Sequence, residues 1–214
     1  MSWRNILVAV WVTSLAGACW AQDFSRWNFN VGGGFGVPLS TTSDFAGTGG
    51  NFVVGGGPNI SRIFGVDGEF MWQGLPIKQS VINSIGVPDA HAREYSVTGN
   101  LIVRIPTGKR FAPYLIGGGG WYHRSGEATA PALVPGTVCP PFWVWWGTCV
   151  SGLWPANVVI ASFSSNAFGG NGGGGFTFRI GEGHLKFYSE VRYHHASHNH
   201  VDTDVLPVTF GLRW

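Results

Sequence analysis

Apolar and polar residues alternate with a period of two along most of the chain beyond Trp27. Residues 205–214 show it most cleanly: Leu206, Val208, Phe210, Leu212 and Trp214 share one face, with Pro207, Thr209, Gly211 and Arg213 on the other. Successive side chains of a strand point to opposite faces, so this spacing predicts a strand. Seven more segments follow the rule. Residues 27–37 set Trp27, Phe29, Val31, Phe35 and Val37 against Asn28, Asn30 and Gly32, and residues 51–61 form the second strand. Residues 64–73 set Phe64, Val66, Phe70 and Trp72 against Asp67, Glu69 and Gln73. Residues 94–105 set Tyr95, Val97, Leu101, Val103 and Ile105 against Ser96, Thr98, Asn100 and Arg104. In residues 111–123 a glycine run obscures the faces. Residues 167–180 set Phe168, Phe176, Phe178 and Ile180 against Asn171, Thr177 and Arg179. Residues 184–194 set Leu185, Phe187, Val191 and Tyr193 against Lys186, Tyr188, Glu190, Arg192 and His194. No segment predicts a helix.

The connections alternate as well. Residues 61–63, 106–110 and 181–183 read as tight turns; residues 38–50, 75–93, 124–166 and 195–204 read as longer loops. Each strand is close to the ~9–11 residues a tilted strand needs to cross a bilayer, and short turns on one side with long loops on the other suit such a barrel. An eight-stranded soluble barrel shares the alternation with its faces reversed. Composition favours the membrane version. Charged residues are 11% of the chain, against ~25% in typical soluble domains. The net charge of +2 with no basic face excludes a nucleic-acid partner.

At the N-terminus, Arg4, the apolar run from Ile6 to Leu15 and the small residues up to Ala21 predict a signal peptide over residues 1–21. Residues 22–214 then form one barrel domain. Cys19 leaves lipidation open as an alternative to cleavage after Ala21. No later stretch predicts an apolar transmembrane helix. Cys139 and Cys149 predict one disulfide closing a short loop of an exported chain.

With eight such segments and a terminal strand ending on an aromatic, the chain resembles the small eight-stranded outer-membrane barrels: the OmpA transmembrane domain and the Opa-like and OmpX-like proteins. The resemblance implies an all-β fold, an antiparallel up-and-down transmembrane β-barrel in the outer membrane. It also implies surrounding outer-membrane lipid, insertion machinery that reads the C-terminal strand, and a monomer. Proteins of this type serve as anchors, adhesins, pores and occasionally lipid-modifying enzymes, so fold does not select a function.

Candidate sites follow from the faces. Asp67, Glu69, Arg104, Arg179, Lys186, Glu190, Arg192 and Arg213 all fall on polar faces, and a narrow lumen predicts that they pair as a charge network closing the barrel. Mid-strand glycines at 55–57, 117–120 and 172–175 leave room for those long side chains. Phe142, Trp143, Trp145 and Trp146, inside the disulfide loop, predict a tip that touches headgroups or an extracellular partner. His194, His195, His198 and His200, followed by Asp202 and Asp204, are the candidates for a metal site, and no cofactor or resident metal is expected. His195-Ala196-Ser197 resembles the His-x-Ser element of the lipid A 3-O-deacylases, but His198 follows where that family has Asn, and Thr209 stands near the place of the expected acid, for which Asp202 or Asp204 could substitute only by a different geometry. The expectation is therefore no catalytic residues: a structural or surface-interaction (adhesin-like) role in the external loops, with a narrow pore second and a lipid A-modifying hydrolase third.

Overall fold

The computed structural model describes residues 25–107, 110–139, 147–198 and 201–214. They form eight strands: β1 (Trp27–Pro38), β2 (Gly49–Pro58), β3 (Phe64–Pro76), β4 (Asp89–Arg104), β5 (Phe111–Val138), β6 (Val150–Arg179), β7 (Lys186–Ala196) and β8 (Thr203–Arg213). Each pairs antiparallel with its neighbour in sequence, and β8 returns to β1 from Asn30↔Arg213 to Pro38↔Val205. Phe29 and Trp214 exchange backbone hydrogen bonds of 3.0 Å at the seam. Closure removes the unpaired edges an open sheet would present. The predicted signal peptide lies outside the described residues.

The alternation also says which way the faces point. On β3, Val66 and Phe70 are each 38% exposed, while Asp67 and Glu69 are 0% and 3% exposed. β7 repeats the pattern, with Val191 and Tyr193 outside and Tyr188, Glu190 and Arg192 buried. Apolar outside and polar inside is the reverse of a soluble barrel and the arrangement of one solvated by lipid. Aromatic rings mark both margins of the apolar band. Trp27 stacks on Phe29, which meets Trp214 at a tilt, at the end carrying both chain termini, with Phe111 against Phe176 nearby. Phe70, Tyr95, His123 and Trp121 line the loop end. Amphipathic rings settle at such interfaces because one side of them can stay wet.

Inward-facing glycines make the narrow lumen possible. A Cβ on Gly55 would lie 2.6 Å from Asn30 Oδ1, and one on Gly118 would lie 2.6 Å from Asn100 Oδ1. The space a side chain would need is already taken by polar groups from neighbouring strands.

Two expectations need correction. Residues 124–166 are not a loop: β5 and β6 run on past the barrel as a hairpin, paired from Tyr122↔Ala167 to Val138↔Val150, with a register shift at Ala128/Thr129. A two-stranded ribbon outside the barrel wall has no buried face, so nothing forces its sequence to alternate. Cys139 and Cys149 are disulfide-bonded at its far end, with Cα atoms 4.4 Å apart. The tip residues Phe142, Trp143, Trp145 and Trp146 lie outside the described residues. The second correction is helical: α1 (Thr42–Phe45) and α2 (Gln79–Ile85) sit in the two loops before the hairpin. They are too short for a period of 3.6 to register in the sequence. α2 stops at Gly86, whose φ of 70° suits glycine and whose amide donates to the Ile82 carbonyl oxygen at 3.1 Å.

Candidate functional site

The centre of the lumen is built by β1, β3, β5 and β7. Their inward faces carry Asn30, Asp67 with Glu69, Tyr114, and Glu190 with Arg192. The Arg192 guanidinium bridges two carboxylates: Nη2 donates to Glu69 Oε1 and Nε to Glu190 Oε1, the latter at 2.5 Å. Tyr114 Oη donates to the other Glu190 oxygen at 2.7 Å. Asn30 Nδ2 donates to Glu69 Oε2 at 3.4 Å and Asp67 Oδ2 at 3.3 Å. A carboxylate out of water needs donors on both oxygens, and this constellation supplies them to Glu69 and Glu190, whereas Asp67 keeps one oxygen, Oδ1, buried without a partner. Arg213 takes another solution: its guanidinium carbon lies 5.0 Å from the ring centres of both Tyr114 and Tyr188. Cations are attracted to such ring faces.

The remaining cations sit lower. Arg104 ends β4, Arg179 ends β6, Lys186 begins β7 and Arg213 ends β8, so the topology gathers all four at the end carrying both termini. Arg104 Nη2 donates to Asn59 Oδ1 at 2.6 Å. Among the described residues none of the four lies within 4.0 Å of a carboxylate, and of the eight lumen charges only Glu69, Glu190 and Arg192 form ion pairs. The expected general pairing is therefore replaced by two layers, carboxylates around Arg192 at mid-height and cations at the terminal end. Sequence parity shows which face a residue takes but not its height along the barrel. Asn30, Tyr114 and Tyr188 were not singled out. Tyr188 could have been, since it shares a predicted face with Glu190 and Arg192, whereas Tyr114 was hidden by the glycine run of β5.

At the loop end the histidines diverge. His194 points inward, its Nδ1 3.2 Å from Tyr122 Oη. His195 points outward, its Nδ1 2.7 Å from Asp204 Oδ1, which also accepts from Tyr193 Oη at 2.5 Å. His198 Nδ1 lies 2.9 Å from Ser165 Oγ, and Ser197 Oγ donates to Asp202 Oδ1 at 3.2 Å. Neighbours on a strand face opposite ways, so these side chains do not share one ligand set; among the described residues no cluster could hold a metal ion, and His200 lies outside them. Of the two acids that could stand in beside His195, the one the ladder brings there is Asp204, its cross-strand partner in β7–β8.

His198 supports a pH prediction. Burial and then the nearby Arg124 guanidinium hold its imidazole below the ordinary range, against the opposing pull of Asp202. A histidine held neutral contributes stability above ~6.5, and that contribution is lost as pH falls toward the lower folded value. NMR titration of the His198 ring is expected to give a midpoint below ~6.5, and Arg124→Gln should raise it. A native midpoint at or above the ordinary value would remove this account.

Comparisons with known proteins agree with the architecture. The family described as "Outer membrane protein beta-barrel domain" matches residues 7–213. Solved structures similar to this chain include Ail, the attachment invasion locus protein of Yersinia pestis. It is 15% identical, with a TM-score of 0.50 over 89% of this chain and 100% of that one. Neisserial surface protein A is 13% identical, with a TM-score of 0.55 over 88% and 96% of the two chains. A major outer membrane protein from Thermus thermophilus is 10% identical, with a TM-score of 0.53 over 89% and 99%. No curated protein matches the chain significantly by sequence. At these identities the structures speak for the fold alone, while the family match spans nearly the whole sequence: the chain belongs to the outer membrane protein beta-barrel domain family.

Proposed function

We propose that the barrel is an anchor and that its β5–β6 hairpin is a surface-interaction element. The carrying observation is the state of that hairpin. The last residue of β5 paired to β4 is Thr129, and the first of β6 paired to β7 is Gly169, so beyond these points both outer edges are open. Open edges present unpaired N–H and C=O groups to any extended chain. No Asp, Glu, Lys, Arg or His occurs between Glu127 and Arg179, although lysine and other charges are a common defence of such edges. Leu133, Leu153 and Phe163 stand 65%, 62% and 61% exposed along it. An uncharged, apolar, open-edged ribbon fits an extracellular partner that adds an extended strand.

The test replaces residues 130–158 with an Asn-Gly turn, which suits a two-residue hairpin. The variant barrel is expected to keep heat-modifiable gel migration and surface display. Attachment of displaying cells to a protein-coated surface should fall about tenfold, the loss of ~1.4 kcal/mol of binding. Equal attachment at equal display would overturn the reading. The pore reading is less well supported, because the side chains of Arg192, Tyr122 and Tyr188 are buried across the lumen. Planar-bilayer recordings are expected to show no persistent open current.

The Asp204–His195 pair supports a second reading, a hydrolase acting on lipid acyl esters with Ser197 as nucleophile. In the present geometry the Ser197 hydroxyl is given to Asp202, so this reading requires it to turn toward His195. Mass spectrometry of lipid A from expressing cells distinguishes it: an unchanged acyl pattern would exclude the reading.

A further inference from the structure

Among the described residues, four cations at the terminal end of the lumen form no ion pair; Asp67 acts on Arg104 and, with Glu190, on Arg213 only from a longer distance. Arg179 lies directly across from Lys186, and Lys186 directly across from Arg213, in adjacent ladders. Like charges in direct cross-strand register repel one another. Arg104, on β4, completes the group around one small cavity lined also by Asn28, Asn59 and His184. No Asp or Glu lines it.

A second observation concerns Arg213 alone. Its side chain is 3% exposed, and Nε, Nη1 and Nη2 are all buried without a hydrogen-bond partner. The tyrosine rings on either side satisfy the faces of the guanidinium but not its N–H edge. Buried donors without acceptors are costly, so an anion held beside this closed guanidinium would offset its charge.

We propose that Arg104, Arg179, Lys186 and Arg213 form a binding site for a phosphate-class oxyanion. The cavity measures about 40 Å³. One water needs roughly 10–15 Å³ by this measure, so the space suits about three waters or one tetrahedral oxyanion, and excludes a nucleotide or sugar phosphate. Guanidinium groups favour oxyanions over halides because parallel N–H groups match two oxygens at once. The anion could be free phosphate or the phosphate of a lipid headgroup reaching in at the barrel mouth; the recognising chemistry is the same. The site stands independently of the hairpin reading.

The test titrates inorganic phosphate into the full barrel in micelles of a glycoside detergent, which carries no phosphate, in low-chloride buffer, by calorimetry. Saturable one-to-one binding is expected. Lys186→Gln should weaken it about tenfold, as expected for loss of a charge-assisted bond, and Arg213→Gln at least as much if heat-modifiable migration shows that it folds. Arg62→Gln removes a charge from the exposed turn between β2 and β3, outside the cavity, and should leave binding unchanged. No saturable heat up to about 10 mM phosphate would overturn the site, since that bounds the affinity below the weakest specific range. An Arg62→Gln loss equal to that of Lys186→Gln would also overturn it, by reducing it to general attraction. Nanodiscs of anionic phospholipid identify the source: blocked phosphate binding assigns the site to headgroups, and unaltered binding assigns it to the free anion.

Discussion

Replacing Arg192 with Met is expected to destabilise the barrel by about 3–5 kcal/mol, the usual cost of removing one partner from a buried ion pair. The loss comes less from the attraction removed than from what stays behind. Glu69 and Glu190 would both remain buried, each 3% exposed or less. Asn30 and Tyr114 would then be the remaining donors to the pair, one on each carboxylate. Two carboxylates facing a shared space without a cation repel each other and lack their best donor. The measurement is urea unfolding in lipid vesicles, followed by gel migration of unheated samples. Adding Glu69→Gln and Glu190→Gln to the Arg192→Met chain should restore more than half of the loss, because neutral amides no longer need the guanidinium. Such recovery is the signature of coupled residues. A variant within ~1 kcal/mol of the native barrel would mean that the three side chains do not act as a unit.

What was legible in the sequence is what the barrel wall forces. β3, β7 and β8 each have one face toward lipid and one toward the lumen, so a strict period of two is the only pattern that fits. The tight connections at 59–63, 105–110 and 180–185 were legible for a related reason, since polar and glycine residues interrupt the period there. The hairpin was hidden because it leaves the wall. Once neither face is buried, alanine, serine, threonine and proline replace the alternation, and the segment reads as a loop. The fourth loop also proved shorter than expected, residues 197–202, because β7 and β8 pair up to Ala196↔Thr203.

The lumen was legible only in projection. Parity placed all eight charged side chains on inner faces, but their heights depend on register and strand tilt, which no single strand encodes. Glu69 and Arg192 are separated by 123 positions. That they meet while Asp67 and Arg213 remain without an ion pair follows from where β3 and β7 sit around the ring. Asp204 and His195 illustrate the same limit across one turn. The sequence offers Asp202 and Asp204 alike in place of an acid near Thr209, and only the ladder sets Asp204 opposite His195.

Substituting arginine for two exposed leucines is expected to give opposite results. Leu101 lies on β4 with 47% of its surface exposed, flanked across the ladders by Val66 and Gly117 and bounded by the two aromatic rows. Leu133 lies on the projecting hairpin and is more exposed, at 65%. If exposure meant water in both places, both arginines would be harmless. A lipid-facing arginine near mid-membrane instead costs roughly 2–4 kcal/mol, because the guanidinium must reach the interface or draw water inward. Leu101→Arg should therefore shift vesicle folding by that amount and slow insertion. Leu133→Arg should stay within about 0.5 kcal/mol of the native barrel, as exposed substitutions away from special features do. A neutral Leu101→Arg would place water around the barrel wall and contradict the apolar band as a lipid surface. A costly Leu133→Arg would lay the hairpin on the membrane, turning its exposed leucines into anchors and leaving the surface-interaction reading without its carrier. The pair of measurements thus separates the solvent of the wall from the solvent of the hairpin, on which the fold and the proposed function respectively depend.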